Sequence, residues 1–366
     1  MKIGIVGTRG IPNQYGGFEQ FIEFVAPELA KRGHEVFVYN SSLHPYKEAQ
    51  YKGVHIIPKY DPENKIGTAG QFIYDFNCII DSRKRKYDVI LQLGYTSSSV
   101  WTFLYPSTSL LVTNMDGLEW KRSKYSKPVQ FFLKYAERWA ARHSDALIAD
   151  SRGIQEYLQE KYKRPSAFIA YGAIPFNDAD ESVPAQYSLE KYNYNMLIAR
   201  MEPENNIETI IKGHLQSSKK TVLAIVGGTG NKYGKKLKGA YESEWIRFLG
   251  PVYDMVRLNS LRYFSQLYFH GHSVGGTNPS LLEAMASGAL IVAHDNVFNR
   301  SVLASDAFYF SLPGDIASII DGPLTKSDCS AMIKNNLDRI THEYSWQQVT
   351  TALEKYLAES LKKRKA

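Results

Sequence analysis

Short β-rich apolar runs alternate with longer helical patterns along almost all of this chain, and that alternation restricts it to one broad class of fold. In the first half, candidate strands at 3–7, 35–39, 55–58, 89–93, 110–113, 146–149 and 167–170 flank helical stretches at 18–32, 70–83, 129–142 and 151–162. Repetition of this kind places helices on both faces of a parallel sheet. A polar segment at 175–192, containing Asp178, Asp180, Glu181 and Pro184, reads as an interdomain link. The alternation resumes at 196–199, 207–214, 222–226, 245–249, 267–270, 279–287 and 290–293, and a strongly helical pattern at 344–363 follows. At 366 residues there is enough chain for two separate cores. The expected architecture is α/β, with doubly wound Rossmann-like domains at 1–175 and 186–343 and a ligand cleft between the carboxyl ends of their strands.

Composition narrows the class. Only Cys78 and Cys329 are present, far apart, so neither a disulfide framework nor a metal-ligand spacing is expected, and a reducing compartment is the simplest setting. The apolar run Ile3-Gly4-Ile5-Val6 is too short for a secretory signal and reads as a first strand. No stretch approaches the roughly 18 uninterrupted apolar residues of a membrane span. A cytoplasmic protein is expected, free or peripheral on the inner face of the membrane.

The net charge of +7 is concentrated in basic clusters at Arg83-Lys84-Arg85-Lys86, at Lys121-Arg122 with Lys124 and Lys127, at Lys235-Lys236, and at Lys362-Lys363-Arg364-Lys365. Aromatic residues interleave with the second cluster: Trp120, Tyr125, Phe131, Phe132, Tyr135 and Trp139. That mixture suits either a solvated basic face over half-buried rings or a surface that meets anionic lipid headgroups. No helix-turn-helix, zinc-finger or RNA-binding signature accompanies it, so no nucleic-acid partner is expected.

The strongest local signal for a site is Gly275-Gly276-Thr277-Asn278-Pro279-Ser280-Leu281-Leu282-Glu283. Pro279 suits the first helical turn and Asn278 the cap before it. Glycines leading into a helix start make an anion site suited to a phosphate or diphosphate, with Gly276, Thr277 and Asn278 as its backbone donors. Glu283, one turn into the helix, is placed to accept hydrogen bonds from sugar hydroxyls. An ordinary capped helix with a surface glutamate would show the same pattern.

Other candidates fall at strand ends. The loop at 7–19 joins the first strand to the first helix, and Gly16 and Gly17 can turn their N–H groups towards a sugar or phosphate. Its glycines lack the G-x-G-x-x-G spacing, and the second strand ends in Tyr39-Asn40 rather than an acidic residue, so nicotinamide binding is not expected. Asp116 and Glu119, after the strand at 110–113, can orient hydroxyls or act as a base; an Asp116-Gly117 turn followed by a helix start is the alternative. Arg200 ends the strand at 196–199, where a guanidinium can hold a diphosphate through two hydrogen bonds or make a salt bridge. Gly228 and Thr229, in Gly227-Gly228-Thr229-Gly230, form a second backbone cradle or a simple turn. No histidine has metal-ligand spacing; His270 and His272 flank Gly271 after a strand, with structural roles the simpler reading.

Together these residues resemble the retaining glycosyltransferases of family 4, which have the GT-B fold of two Rossmann-like domains facing across a cleft. The resemblance rests on Gly16-Gly17-Phe18-Glu19 with Leu29-Ala30-Lys31-Arg32-Gly33-His34-Glu35-Val36, on Ile198-Ala199-Arg200-Met201-Glu202-Pro203-Glu204, and on the run at 278–288. The segments at 7–19 and 114–122 are most similar to a subgroup of bacterial rhamnosyltransferases acting in capsule, O-antigen or other surface-polysaccharide assembly.

The resemblance implies transfer of a sugar from a nucleotide-diphosphate donor to a hydroxyl, with no metal and no other cofactor. It favours dTDP-rhamnose over UDP- or GDP-sugars as donor, and a saccharide or lipid-linked oligosaccharide as acceptor. The donor would lie mainly on 186–343 and the acceptor on 1–175, with the helix at 344–366 crossing back towards the N-terminal domain. Glu283 would hold the nucleotide's pentose and Arg200 the diphosphate. With Glu119, Arg200 and Asp116 form the candidate catalytic set, Asp116 standing where many relatives have a histidine near the donor sugar. Two further departures are Gly275, where the family's first glutamate usually contacts the hexose, and Asn205, where relatives usually carry a phosphate-binding lysine. A nucleotide-sugar epimerase of the same fold, or a non-catalytic sugar-nucleotide-binding protein, are the rival functions.

Overall fold

The computed structural model describes residues 1–14, 16–122, 125–323 and 325–365; Tyr15 of the opening loop and Lys124 of the second basic cluster lie outside the described residues. The chain divides into two units, one formed by Met1–Lys121, Tyr125–Tyr171 and Trp346–Ala366, the other chiefly by Gly172–Ser345.

In the first unit the strands are β1 (Lys2–Val6), β2 (Glu35–Ser41), β3 (Gln50–Tyr51), β4 (Val54–Lys59), β5 (Val89–Leu93), β6 (Leu110–Asn114), β7 (Ala146–Ala149) and β8 (Ala167–Phe168). Their order across the sheet is β3-β4-β2-β1-β5-β6-β7-β8, parallel except for the antiparallel β3–β4 edge. Helices α1 (Gly17–Lys31), α2 (Glu63–Ile66), α3 (Gly70–Ser82), α4 (Lys127–His143) and α5 (Arg152–Tyr162) connect them. Strands β5 and β6 are buried at every residue, as a parallel sheet covered on both faces requires.

The second unit has six parallel strands, β9 (Tyr194–Ile198), β10 (Val222–Val226), β11 (Ile246–Gly250), β12 (Leu267–His270), β13 (Ile291–His294) and β14 (Phe308–Phe310), in the order β11-β10-β9-β12-β13-β14. Its helices are α6 (Val183–Gln186), α7 (Ile207–Gln216), α8 (Lys232–Tyr241), α9 (Met255–Phe264), α10 (Pro279–Ala286), α11 (Val297–Leu303), α12 (Pro313–Asp321) and α13 (Ser330–His342). Leu197, Ile210, Leu223, Ile225, Phe269 and Val292 lie at the centre of its core.

Residues 175–192, expected as a link, are built into this second unit. The N–H of Phe176 donates to Ala286 O (2.9 Å), that of Asp180 to Ser260 Oγ (3.0 Å) and that of Tyr192 to Phe264 O (2.7 Å). The polar side chains of the segment face solvent while its backbone is tied to α9 and α10.

After Ser345 the chain returns to the first unit as α14 (Trp346–Lys365). Trp346 stacks on Phe24 of α1, with centroids 4.5 Å apart and planes 8° from parallel. Glu354 accepts from Arg32 (2.9 Å) and bonds the His34 ring (2.7 Å), and the Tyr356 hydroxyl donates to Leu147 O on β7 (2.9 Å).

Each sheet has a switch point where the strand order reverses: between β1 and β5 in the first unit, between β9 and β12 in the second. Crevices for ligands in open α/β sheets lie outside the carboxyl ends of strands at such points.

Candidate functional site

In the second unit, β9 pairs in register with β10 on one side and β12 on the other, so the segments that follow these three strands leave the sheet along one edge. Arg200 follows β9 and is exposed, while its backbone is fixed. Asn205 is buried, and its side-chain amide donates to the Arg200 carbonyl at 2.8 Å. Asn205, which stands where the resembled family has a phosphate-binding lysine, is thus committed to shaping the Arg200 turn.

The same turn is locked to the segment after β12. The Asn206 amide donates to Gly271 O (2.8 Å), and both the N–H and the hydroxyl of Ser273 donate to Glu204 O (3.1 and 2.8 Å). A Cβ on Gly271 would stand 2.1 Å from Asn205 O, so only glycine permits this approach.

His270 and His272 stack on either side of Gly271, with ring centroids 4.4 Å apart and planes 17° from parallel. Both ring nitrogens of His270 and Nδ1 of His272 are buried without a hydrogen-bond partner among the described residues. Burial pushes both imidazoles down, His270 well below its usual range and His272 to about 3; the His272 ring also feels the charge of Arg200. Two stacked neutral imidazoles therefore follow β12, and the charge of Arg200 reaches that of His272.

The 275–283 run has the expected cap and a different distribution of donors. Pro279 has no N–H, the N–H of Ser280 donates to Asn278 Oδ1 (2.9 Å), and those of Leu281 and Leu282 donate to Asn278 O (3.0 and 3.3 Å). Asn278 thus satisfies the first turn of α10, so an anion here would have to be met by backbone upstream of the helix, around Gly276 and Thr277. Gly275 has φ 127°, a conformation a glutamate would strain to adopt, which accounts for glycine at the position of the family's first glutamate.

Glu283 is held from behind. Arg262 of α9, 1% exposed, donates to Glu283 Oε2 at 2.7 Å, while Glu283 keeps 21% of its side chain at the surface. The same guanidinium donates to Asn259 Oδ1 (2.6 Å) and lies 3.4 Å from Ser280 Oγ, which also bonds the buried Tyr268 hydroxyl (3.0 Å). Arg262 escapes a reading of apolar periodicity because it occupies the buried face of its helix, where a pattern search expects an aliphatic residue.

Of the second proposed cradle, Gly228 is exposed, with open space for 4 Å around the point where a Cβ would stand, and Thr229 is half-buried. The Asn231 side chain accepts from Gly234 N (2.7 Å) and donates to Met201 O (2.7 Å), tying this loop to the Arg200 turn. Thus Arg200, Gly228, Thr229, Gly276, Thr277, Asn278 and Glu283 all belong to this unit and follow β9, β10 or β12.

Gly16, Gly17, Asp116 and Glu119 belong to the first unit. The Glu19 carboxylate folds back towards Gly16 and accepts from Thr8 Oγ1 (3.0 Å) and Arg9 N (2.8 Å). Asn40, at the end of β2, is occupied in holding the loop: it accepts from Ile11 N (3.1 Å) and donates to Ile11 O (2.8 Å). Asp116 sits in the left-handed region (φ 52°), its N–H donating to Asn114 Oδ1 (3.0 Å), and Glu119 opens a 3₁₀ turn. The Asp116-Gly117 turn is therefore real, and it leaves both carboxylates half-buried at the carboxyl end of β6.

Sequence reasoning missed Asp150 and Tyr171. Burial, and then the charge of Asp116, push the Asp150 carboxyl well above its usual range. Tyr171 is raised by burial and by Asp116, Asp150, Glu19 and Glu119 together. The charges of four acidic side chains are thus felt at one buried phenol. Among the described residues, no group of three His, Cys, Asp or Glu is placed to hold a metal ion.

Residues 1–174 match the family model described as a domain of unknown function, DUF1972, and residues 179–322 match that of the glycosyl transferases group 1. The chain is a glycosyltransferase. The uncharacterized glycosyltransferase MJ1069 of Methanocaldococcus jannaschii is 21% identical, over 76% of this chain and 77% of the relative. Sucrose-phosphate synthase from Thermosynechococcus elongatus superposes with a TM-score of 0.77 at 16% identity, covering 98% of each chain. HepE from Anabaena, in complex with UDP-glucose, superposes with a TM-score of 0.75 at 16% identity, covering 98% of this glycosyltransferase and 99% of HepE. These likenesses establish the GT-B fold expected from the sequence.

Proposed function

We propose that this glycosyltransferase moves a sugar from a nucleoside diphosphate to a hydroxyl of a saccharide acceptor and retains the configuration at the anomeric carbon. The observation that carries the reading is the edge of the second sheet, where an exposed arginine, two glycine-rich turns and a braced glutamate follow three neighbouring strands at the switch point. Arg200 meets the diphosphate, the backbone around Gly276 and Gly228 supplies further donors, and Glu283 accepts from the pentose hydroxyls. As the bond from the anomeric carbon to the phosphate oxygen breaks, negative charge grows on the diphosphate beside Arg200. The acceptor oxygen attacks on the face the phosphate leaves, and its proton passes to a phosphate oxygen. Asp116 and Glu119 orient acceptor hydroxyls in the first unit.

The proposed donor is dTDP-rhamnose and the proposed acceptor a lipid-linked saccharide of bacterial surface-polysaccharide synthesis. Support comes from the similarity of 7–19 and 114–122 to that rhamnosyltransferase subgroup. Calorimetric titration with dTDP-rhamnose, UDP-glucose, UDP-N-acetylglucosamine and GDP-mannose, with NAD as control, tests it. Selective binding of dTDP-rhamnose supports the whole reading. Preference for a UDP or GDP sugar keeps the transferase and removes rhamnose; silence towards all four removes the donor assignment.

A further inference from the structure

The aromatic and basic residues around 120–142 divide in the structure into two populations. Trp120, Tyr157, Tyr162 and Lys161 converge on one buried carboxylate, Glu137, at 3.0, 2.7, 2.6 and 3.0 Å. Glu137 is 2% exposed and is the only acidic residue of α4. The outer face of α4 is left with Lys127, Phe131, Lys134, Tyr135, Arg138 and Arg142, all exposed, and with no carboxylate of its own. Phe131 is 76% and Tyr135 50% exposed.

This face does not end with the helix. The 3₁₀ turn Ser99–Leu104 packs on α4 and presents Phe103, 70% exposed. Half-buried rings join the two: Phe72 of α3 meets Phe132 at 5.8 Å, and Phe76 meets Trp101 at 5.1 Å. At the end of α3, Arg83 donates to Leu104 O (2.7 Å), which brings the Arg83–Lys86 cluster to the border of the same patch.

We propose that this face of the first unit docks on an anionic phospholipid surface, with Phe103, Phe131 and Tyr135 entering the headgroup layer and the flanking cations pairing with lipid phosphates. A helix of 17 residues lying flat gives about 25 Å of contact. Cations beside exposed rings, with no acid on the outer face of α4, match a surface that is negative outside and apolar beneath. A second copy of the chain is a poorer occupant, because a two-fold contact would set identical cationic faces against each other. The inference uses the first unit alone and does not depend on the donor chemistry proposed above.

The test is co-sedimentation of the full chain with vesicles of phosphatidylcholine containing phosphatidylglycerol, against vesicles of phosphatidylcholine alone, at low and high salt. Binding to the anionic vesicles that weakens with salt is expected. Lys127→Gln with Arg138→Gln should lower the partition coefficient about 25-fold, roughly fivefold for each cation removed. Phe131→Ser and Phe103→Ser should each lower it about tenfold. All four residues are exposed, so far-ultraviolet circular dichroism and thermal melts should match the parent chain. Equal binding to both vesicle types, or variants that bind like the parent, would overturn the proposal. So would a Phe131-dependent dimer in sedimentation velocity, or retention of duplex DNA or RNA, in a chain that ignores anionic vesicles.

Discussion

Replacing Glu283 with alanine removes one half of an ion pair whose other half has nowhere to go. Arg262 is 1% exposed and Glu283 21%, so the two single deletions are unequal. Glu283→Ala leaves a buried guanidinium without its carboxylate, which costs about 3–5 kcal/mol. Arg262→Met leaves a carboxylate that water can reach, at about 1–2 kcal/mol. In a unit of this size each kcal/mol moves the thermal midpoint by about 2–4 °C. The second unit of Glu283→Ala should therefore melt about 6–20 °C lower, and that of Arg262→Met about 2–8 °C lower. Arg262→Met with Glu283→Leu, which removes the pair together, should recover most of the loss. Differential scanning calorimetry of the four proteins reads the order directly. The reasoning is refuted if Arg262→Met melts below Glu283→Ala, or if Glu283→Ala shifts by less than about 2 °C. Where Arg262→Met folds, its donor KM should rise with little change in kcat, because it loosens a binding group and not a reacting one.

Arg200→Ala should keep the parent melt and lose about 100- to 1,000-fold in kcat, measured by nucleotide release in single-substrate kinetics; normal turnover in the folded variant would remove Arg200 from the mechanism. Because His272 titrates at about 3 in the native chain and near 6.5 when unfolded, the unfolded chain takes up a proton that the native one refuses as pH falls below about 6.5. His272 should contribute a loss of up to about 1.4 kcal/mol per pH unit between about pH 6.5 and 4, added to that of His270, read by urea titrations across that range, and His272→Phe should make the slope shallower by that amount while His270 keeps its share. Gly271→Ala should cost about 1–3 kcal/mol or displace the Arg200 turn, since the added methyl meets Asn205 O. Gly228→Ala, with open space around it, should leave the melt unchanged and weaken donor binding in calorimetry; undiminished affinity would exclude that loop as a cradle.

The strands were legible because parallel sheets buried on both faces demand continuous apolar runs. The expected runs at 89–93, 146–149, 222–226 and 267–270 coincide with Val89–Leu93, Ala146–Ala149, Val222–Val226 and Leu267–His270. The short edge strands Gln50–Tyr51 and Phe308–Phe310 were not, since an edge needs only a few paired residues and leaves little pattern. Helix α9 was missed for a physical reason that also hid part of the site: its buried face holds Ser260 and Arg262 beside Leu258 and Leu261, which breaks apolar periodicity. The Asn278 cap was readable from residue order, whereas its capture of the whole first turn of α10 depends on backbone geometry that no spacing reveals. Asp150 and Tyr171 were unreadable because their neighbours, Asp116 and Glu19, arrive from distant parts of the chain.

The return of α14 to the first unit sets an order of events during synthesis. When the ribosome has finished β8, the sheet of the first unit is complete, but Phe24 of α1 still lacks Trp346 and the ends of Arg32 and His34 still lack Glu354. Residues 172–345 must be made first, which at about 5–20 residues per second takes on the order of ten to thirty seconds. Throughout that interval the nascent chain carries an apolar α1 surface without its covering helix, and at its end the second unit has everything it requires to close. A chain stopped at 345 would thus release a finished second unit attached to an unfinished first one, a natural client for a chaperone.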